Sequence, residues 1–327
     1  MHPGEQFYPQ GVRWDDPIER GTIPDLLSRA AAEYAGRPAL EFRDRPISYA
    51  ELEERVEIAA SAFLRAGYGR DKSVALFLGN TPDHPVNFFG ALKAGARIVH
   101  LSPLDGEIAL SHKLSDSGAR VLVTSNLSAL LPTALKFLDK GLLDKLIVCE
   151  DDDWGKIGTP QTPLPQNPAI VTFRQFVDGV TKPSTWPAID VEDVALLQYT
   201  GGTTGLPKGA MLSHGNLTAA VSIMDIWGKP SRLERNTIER VICVLPLFHI
   251  FALTVVLLNS LRRGNLISLH QRFDAEAVMR DIEIKRATVF PGVPTMWIAI
   301  AALPDLDKRD FSSLAVAASG GATQRDW

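Results

Sequence analysis

The stretch VALFLGNTPDHPVNFFGALKAGARIVHL (74–101) sets two short apolar runs on either side of a segment with a different rhythm. VALFL (74–78) and RIVHL (97–101) have the length and branched side chains of strands. Between them, from His84 to Ala94, Val86, Phe89 and Leu92 recur at every third position, which places them on one face of a helix. A strand, a helix and a second strand of these lengths predict a right-handed crossover between parallel neighbours.

The same alternation extends along the chain. Helices are expected at 108–117 and 127–138, and strands at 120–125 and 145–150. The stretches 151–170 and 181–190 then break the pattern with Asp, Gly and Pro, and read as exposed connections. Alternation resumes with strands at 194–199, 209–213, 240–245, 265–270, 287–290 and 314–319. The intervening helices are expected at 217–227, 250–261, 275–285 and 294–303. The fold class expected is α/β, with layered βαβ subdomains and largely parallel sheets. A boundary near 188 would divide it into a first subdomain, 1–188, and a second, 189–327.

Of the 327 residues, 45% are hydrophobic and 22% charged, enough to build a sizeable core. The formal net charge of −4 gives no general attraction to nucleic acid. Asp151 to Asp153 reads as a short turn-like cluster. Cys149 and Cys243 both lie in apolar runs and read as core residues rather than a disulfide. The N-terminal segment lacks the basic and apolar regions of a secretory signal, and no apolar stretch is long enough to span a bilayer. A cytoplasmic location is the expectation, with peripheral membrane contact and homo-oligomer formation left open.

Chemistry concentrates in QYTGGTTGLPKGAMLSHGNL (198–217). Two apolar strands flank a loop of Thr, Gly and one Lys. Glycines allow backbone N–H groups to approach an anion closely, Thr200, Thr203 and Thr204 offer hydroxyl donors, and Lys208 adds a positive charge. Together they make a phosphate cradle. A Walker A loop requires Gly-Lys followed by Ser or Thr at a helix start, whereas Lys208 here stands between Pro207 and Gly209. A P-loop kinase is therefore disfavoured.

YTGGTTGLPKG resembles the phosphate-binding loop of the adenylate-forming superfamily, which includes acyl-CoA ligases. ISYAEL (47–52), ALKAGARIVHLSPL (91–104), LPLFHIFAL (245–253) and SGGA (319–322) resemble further motifs of that family, in the same order. The resemblance is closest to medium- and long-chain fatty acyl-CoA ligases, including those acting on dicarboxylates. It implies ATP, Mg2+ and coenzyme A as co-reactants and a fatty or dicarboxylic acid as substrate. The acid would become an acyl-adenylate and then a thioester. Thr200, Gly201, Gly202, Thr203, Thr204, Gly205 and Lys208 would hold the nucleotide, with Gly320, Gly321 and Ala322 against adenine and the acyl group. Lys208 and His249 would be the catalytic pair, His249 lying near the substrate carboxylate. No protein metal ligand is assigned.

Phe251 and Trp297 are the candidates for contact with an acyl channel. His214 reads as a cap or packing residue beside Asn216, which would cap the helix that follows. His2, His84, His100, His112 and His270 have no metal-ligand spacing and receive no role. The family's later motifs, with a magnesium-binding Glu, a ribose-binding Asp and the lid carrying a catalytic Lys, have no counterpart in these residues. The chain is thus expected to be an incomplete form, inactive alone. Two rival readings follow: a dicarboxylate–CoA ligase, or a non-catalytic nucleotide- or acyl-binding remnant.

Overall fold

The structure, a computed structural model, describes residues 2–200, 206–235 and 237–320, with the backbone alone described at 231–235. Two sheets organise them. The first contains β3 (Ser73–Phe77), β4 (Arg97–His100), β5 (Val121–Ser125), β6 (Lys145–Cys149), β7 (Ile170–Thr172), β8 (Val194–Thr200) and β9 (Lys208–Ser213), in the order β7-β6-β5-β3-β4-β8-β9. Every neighbouring pair is parallel except β8 and β9, which form an antiparallel hairpin. The second sheet contains β1 (Pro38–Phe42), β2 (Arg45–Ser48), β10 (Arg240–Cys243), β11 (Leu266–Leu269), β12 (Val289–Gly292) and β13 (Val316–Ser319), in the order β13-β12-β10-β11-β1-β2. Only β1 and β2 run antiparallel there.

The break near 188 does not part these sheets. β1 and β2 precede it yet pair with β11, while β8 and β9 follow it yet pair with β4. Turn-rich sequence marks where the chain leaves the core; it does not say which sheet the chain enters next.

Helices α1 (Ile23–Tyr34), α2 (Tyr49–Arg65) and α3 (Asp83–Lys93), with the helical segment 252–262, lie between the sheets. Their apolar faces merge Leu40 and Ile267 of one sheet with Leu76 and Ile98 of the other into a single core. α4 (Glu107–Ser117) and α5 (Leu131–Asp139) cover the outer face of the first sheet through Leu114, Leu131 and Phe137. α9 (Ala275–Glu283) and α10 (Pro294–Ala301) cover the outer face of the second through Val278, Ile282 and Ile300. The result is five layers, alternating helix and sheet.

Local chemistry sets the helix ends. The Ser48 hydroxyl accepts from the Glu51 N–H at 3.2 Å, and the Glu51 carboxylate accepts from the Ser48 N–H at 2.8 Å. This capping box starts α2 inside the ISYAEL motif. α5 begins at Leu131 rather than at 127 because Pro132, lacking an N–H, fits only the first turn. The segment expected as an ordinary helix over 250–261 winds instead as a π-helix at Ala252–Leu258, followed by the short α8 (Asn259–Arg262). Within it the Thr254 hydroxyl donates to the Ile250 carbonyl at 2.8 Å, a back-bond that loosens the winding.

Gly90 lets α3 press against α2. A Cβ at Gly90 would stand 2.8 Å from the Ala59 Cβ and 3.4 Å from the Val56 carbonyl oxygen. Glycine inside a helix normally costs stability, so replacing it usually helps. Here overpacking reverses the sign. Gly90→Val is expected to destabilise by about 2 kcal/mol, read from the urea midpoint. An unchanged or raised midpoint would show that the two helices part without penalty.

Candidate active site

The C-terminal ends of β4 and β8 and the turn after β10 open on a cleft of about 550 Å3. In a parallel α/β sheet this is where ligands collect. On one wall stands the β8–β9 hairpin. Its register sets Thr200 opposite Lys208 and Tyr199 opposite Gly209. Thr200 lines the cleft, and Lys208 is exposed at the same end of the hairpin. Gly201, Gly202, Thr203, Thr204 and Gly205, which join the two strands, lie outside the described residues, as do Gly321 and Ala322.

α4 clamps both shoulders of that loop. On the β8 side the Tyr199 hydroxyl donates to Asp116 Oδ2 at 2.6 Å. Burial, and then the Asp116 carboxylate, hold the Tyr199 phenol well above its usual range. On the β9 side His112 Nε2 lies 3.0 Å from the Pro207 carbonyl oxygen and donates to it. Gly209 is small for a reason: a Cβ there would stand 3.1 Å from Tyr199 Cζ, against the ring of its cross-strand partner. Lys113, also of α4, lines the cleft but is bound to Asp105 at 2.6 Å.

The opposite wall carries His249, Ile250 and Phe251. The His249 N–H donates to the Pro246 carbonyl at 2.9 Å, and its Nδ1 accepts from the Phe251 N–H at 3.3 Å. With Nδ1 acting as acceptor, a neutral ring carries its proton on Nε2, which is free to donate. His249 is exposed and caps the start of its helix. Asn80 holds this wall in place. Its Oδ1 accepts from the Leu247 N–H at 2.9 Å, and its Nδ2 donates to the Leu245 carbonyl at 2.9 Å.

Gly320 approaches from β13. Its N–H donates to the Gly292 carbonyl at 3.1 Å, and a Cβ there would meet Phe251 Cζ at 3.3 Å. Gly320 thus backs onto a cleft residue rather than lining the cleft. Phe251 is a cleft residue, as expected. Trp297 is not among those lining it. Its ring packs on Phe290, with centroids 4.7 Å apart, beside a separate depression that also touches Ala317 and Ala318.

His214 is a cap, although for a distant helix: its Nδ1 accepts from the Ile23 N–H at the start of α1, at 3.1 Å. α7 (His214–Arg235) is capped by Ser213, whose hydroxyl accepts from the Asn216 N–H, while Asn216 Oδ1 accepts from the Ser213 N–H. Asn216 is therefore the reciprocal partner and not the cap itself.

Sequence reasoning did not find Asn80, Gln198, His100 or the α4 clamp. Asn80 carried one usable signal, a polar residue just after the end of an apolar strand in an α/β pattern. The others come together only in space. Among the described residues no group of three or more His, Cys, Asp or Glu side chains could hold a metal ion, and no helix is long and apolar enough to cross a membrane.

Known proteins are similar to this chain in sequence and in fold. A long-chain-fatty-acid–CoA ligase of Bacillus subtilis (strain 168) is 30% identical over 332 residues, spanning 96% of this chain and 58% of that protein. A feruloyl-CoA synthase of Amycolatopsis is 35% identical over 284 residues, 84% of this chain and 49% of that one. The chain thus spans about half the length of such relatives. The inhibitor-bound N-terminal domain of FACL13 from Mycobacterium tuberculosis superposes with a TM-score of 0.73 at 23% identity, covering 90% of this chain and 68% of that one. It shares the fold. The family model described as AMP-binding enzyme matches residues 27–325, so the chain that builds this cleft belongs to the AMP-binding enzyme family.

Proposed function

We propose that this chain supplies the ATP- and acyl-binding part of an enzyme that activates a fatty acid, first as an acyl-adenylate and then as its coenzyme A thioester. The observation that carries this reading is the convergence of Thr200 and His249 on one cleft, with Lys208 opposite Thr200 at the hairpin end. A hydroxyl and an ammonium flanking a glycine-rich loop suit a polyphosphate. The reaction is attack by an already ionised carboxylate on phosphorus. It needs positioning and charge neutralisation more than proton transfer.

In this reading residues 201–205 complete the phosphate loop, and Lys208 offsets charge on the phosphates. His249 offers its Nε2–H to the carboxylate end of the acid, and Phe251 borders the chain. Gly320, Gly321 and Ala322 contribute to holding the adenine and the acyl group. Magnesium would arrive on the nucleotide's phosphates, since the described residues gather no carboxylate cluster for it. Residues 1–188 and 189–327 are successive parts of one adenylation unit, interleaved through the two sheets. The Lys113–Asp105 pair favours a monocarboxylic acid, because the buried cation in the cleft wall is already neutralised. The reaction is placed in the cytoplasm.

Isothermal titration of ATP into the chain tests the nucleotide site. Lys208→Ala is expected to weaken ATP about 10-fold, the loss of one charge-assisted contact. Equal affinity in the variant would remove Lys208 from the phosphate site. Acid-dependent ATP–pyrophosphate exchange with medium- and long-chain fatty acids would extend the assignment to catalysis by these residues alone. ATP binding without exchange would restrict them to binding.

A further inference from the structure

The end of the β8–β9 hairpin stands clear of the sheet that carries it. β4 pairs with β8 at Ile98–Leu196 and Val99–Leu197, and among the described residues that ladder goes no further. β9 closes the strand order, so its outer edge has no strand partner among the described residues. From Gln198 to Thr200 and from Lys208 to Ala210 the two strands therefore pair only with each other. A two-stranded ribbon is marginally stable by itself in water. Contacts from outside the sheet have to hold this end in place.

One turn of α4 supplies them. The Tyr199 hydroxyl donates to Asp116 Oδ2 at 2.6 Å, and His112 Nε2 donates to the Pro207 carbonyl at 3.0 Å. Tyr199 and Pro207 stand on either side of residues 201–205. Tyr199 is 7% exposed and its ring lies against Gly209, so fixing its hydroxyl also fixes the cross-strand pair next to the loop. On the same turn, Lys113 holds Asp105, a cleft residue after β4, at 2.6 Å. A further tether, Gln198 Nε2 to the Phe248 carbonyl, is long at 3.4 Å. α4 is itself firmly seated. Leu110 and Leu114 are buried in the outer core, and Glu107 pairs with Lys136 and Lys140. Neither His112 nor Asp116 is among the residues that line the cleft.

We propose that His112 and Asp116 are positioning residues for ATP: they set where the phosphate loop stands at the cleft, and so its affinity for the phosphates, without touching the nucleotide. This rests on the reading of 200–208 as the phosphate loop. The physical reason is preorganisation. Donors bind an anion tightly when they are already held in the bound geometry, whereas a loop that the ligand must order loses binding free energy to that ordering. Lys113 extends the same support to the turn at 102–105, so both rims of the cleft rest on one helix.

The test is calorimetric titration of ATP into the full chain and its variants, with urea midpoints measured alongside. His112→Leu and Asp116→Leu are each expected to weaken ATP about 3-fold, and the two together about 10-fold. His112→Gln keeps a side-chain N–H for the Pro207 carbonyl, and Asp116→Asn keeps an oxygen for the Tyr199 hydroxyl. Both are expected to bind ATP within about 2-fold of the unaltered chain. A merely structural role would lower the urea midpoint of the Leu variants and leave the ATP affinity of the folded protein unchanged, which overturns the proposal. A loss of equal size in the Gln and Asn variants overturns it too, because those variants keep the bonds. If the Leu pair does not fold, His112→Leu against His112→Gln decides alone. Lys208→Ala separates the failures. ATP weakened by Lys208→Ala but not by the α4 variants overturns only the positioning. No ATP binding by the unaltered chain, or affinity that no variant moves, overturns the phosphate-loop reading and the positioning with it.

Discussion

Replacing Asp151 with alanine is expected to lower the free energy of unfolding by about 3–5 kcal/mol, the cost of stranding a buried partner. Asp151 follows β6 of the first sheet. Both of its carboxylate oxygens accept from Arg43 Nη2 at 2.8 Å, and Oδ1 also accepts from Gln271 Nε2 at 3.0 Å. Arg43 lies in the β1–β2 turn with a left-handed φ of 51°, and Gln271 follows β11, so both belong to the second sheet. Arg43 Nη1 donates further to the Gly155 carbonyl at 2.7 Å. The side chains are 11% and 2% exposed, so water cannot replace the lost carboxylate around the guanidinium. Urea unfolding of Asp151→Ala measures the loss. A change below about 1 kcal/mol, the range of a surface pair, would mean that this clasp does not hold the sheets together. The double variant Arg43→Met with Asp151→Leu is expected to recover much of the stability, because two apolar groups leave no charge unpaired.

Acidification is expected to weaken the fold before ordinary carboxylates titrate. Burial is the first cause of low values at His84 and His214, both held at about 4, and at His100, held well below its usual range. The unfolded chain takes up these protons near pH 6.5 and the folded chain does not. The stability present above pH 6.5 is therefore lost progressively as pH falls toward 4. Asp83 acts in the opposite sense. Burial pushes its carboxyl up to about 6, against the Trp154 indole N–H that donates to it at 2.8 Å. Its contribution is full below about pH 4 and fades as pH rises through 6. Three histidines against one aspartate leave a net loss on the order of 4 kcal/mol between pH 7 and pH 5. Unfolding free energies from urea titrations at those two pH values give the comparison. Equal values would show that the three rings are protonated in the folded chain. Asp83→Asn is expected to steepen the loss, because it removes the one opposing group.

The hairpin that carries the phosphate loop was legible because both its parts are local. Short apolar runs at 194–199 and 209–213 mark the strands, and Gly, Thr and Lys between them mark the anion chemistry. His249 was legible only through its motif, since a lone histidine at the head of an apolar helix carries no signal of its own. The reading of Asp151 as part of a turn-like cluster describes its backbone and misses its partners, which stand 108 and 120 residues away along the chain. His84 and His100 are separated by a helix and a strand end, and Gln198 by a further 98 positions, yet all three come together under the cleft.

The sequence by itself therefore determined the parallel α/β class, most of the elements and the chemistry of the phosphate loop, because periodicity, turn residues and loop composition act over a few neighbouring residues. The tertiary structure alone decided which strands share a sheet, which buried charges are paired and which polar atoms face the cleft. Those outcomes depend on desolvation and hydrogen-bond geometry between residues that only the folded chain brings within a few ångströms of one another.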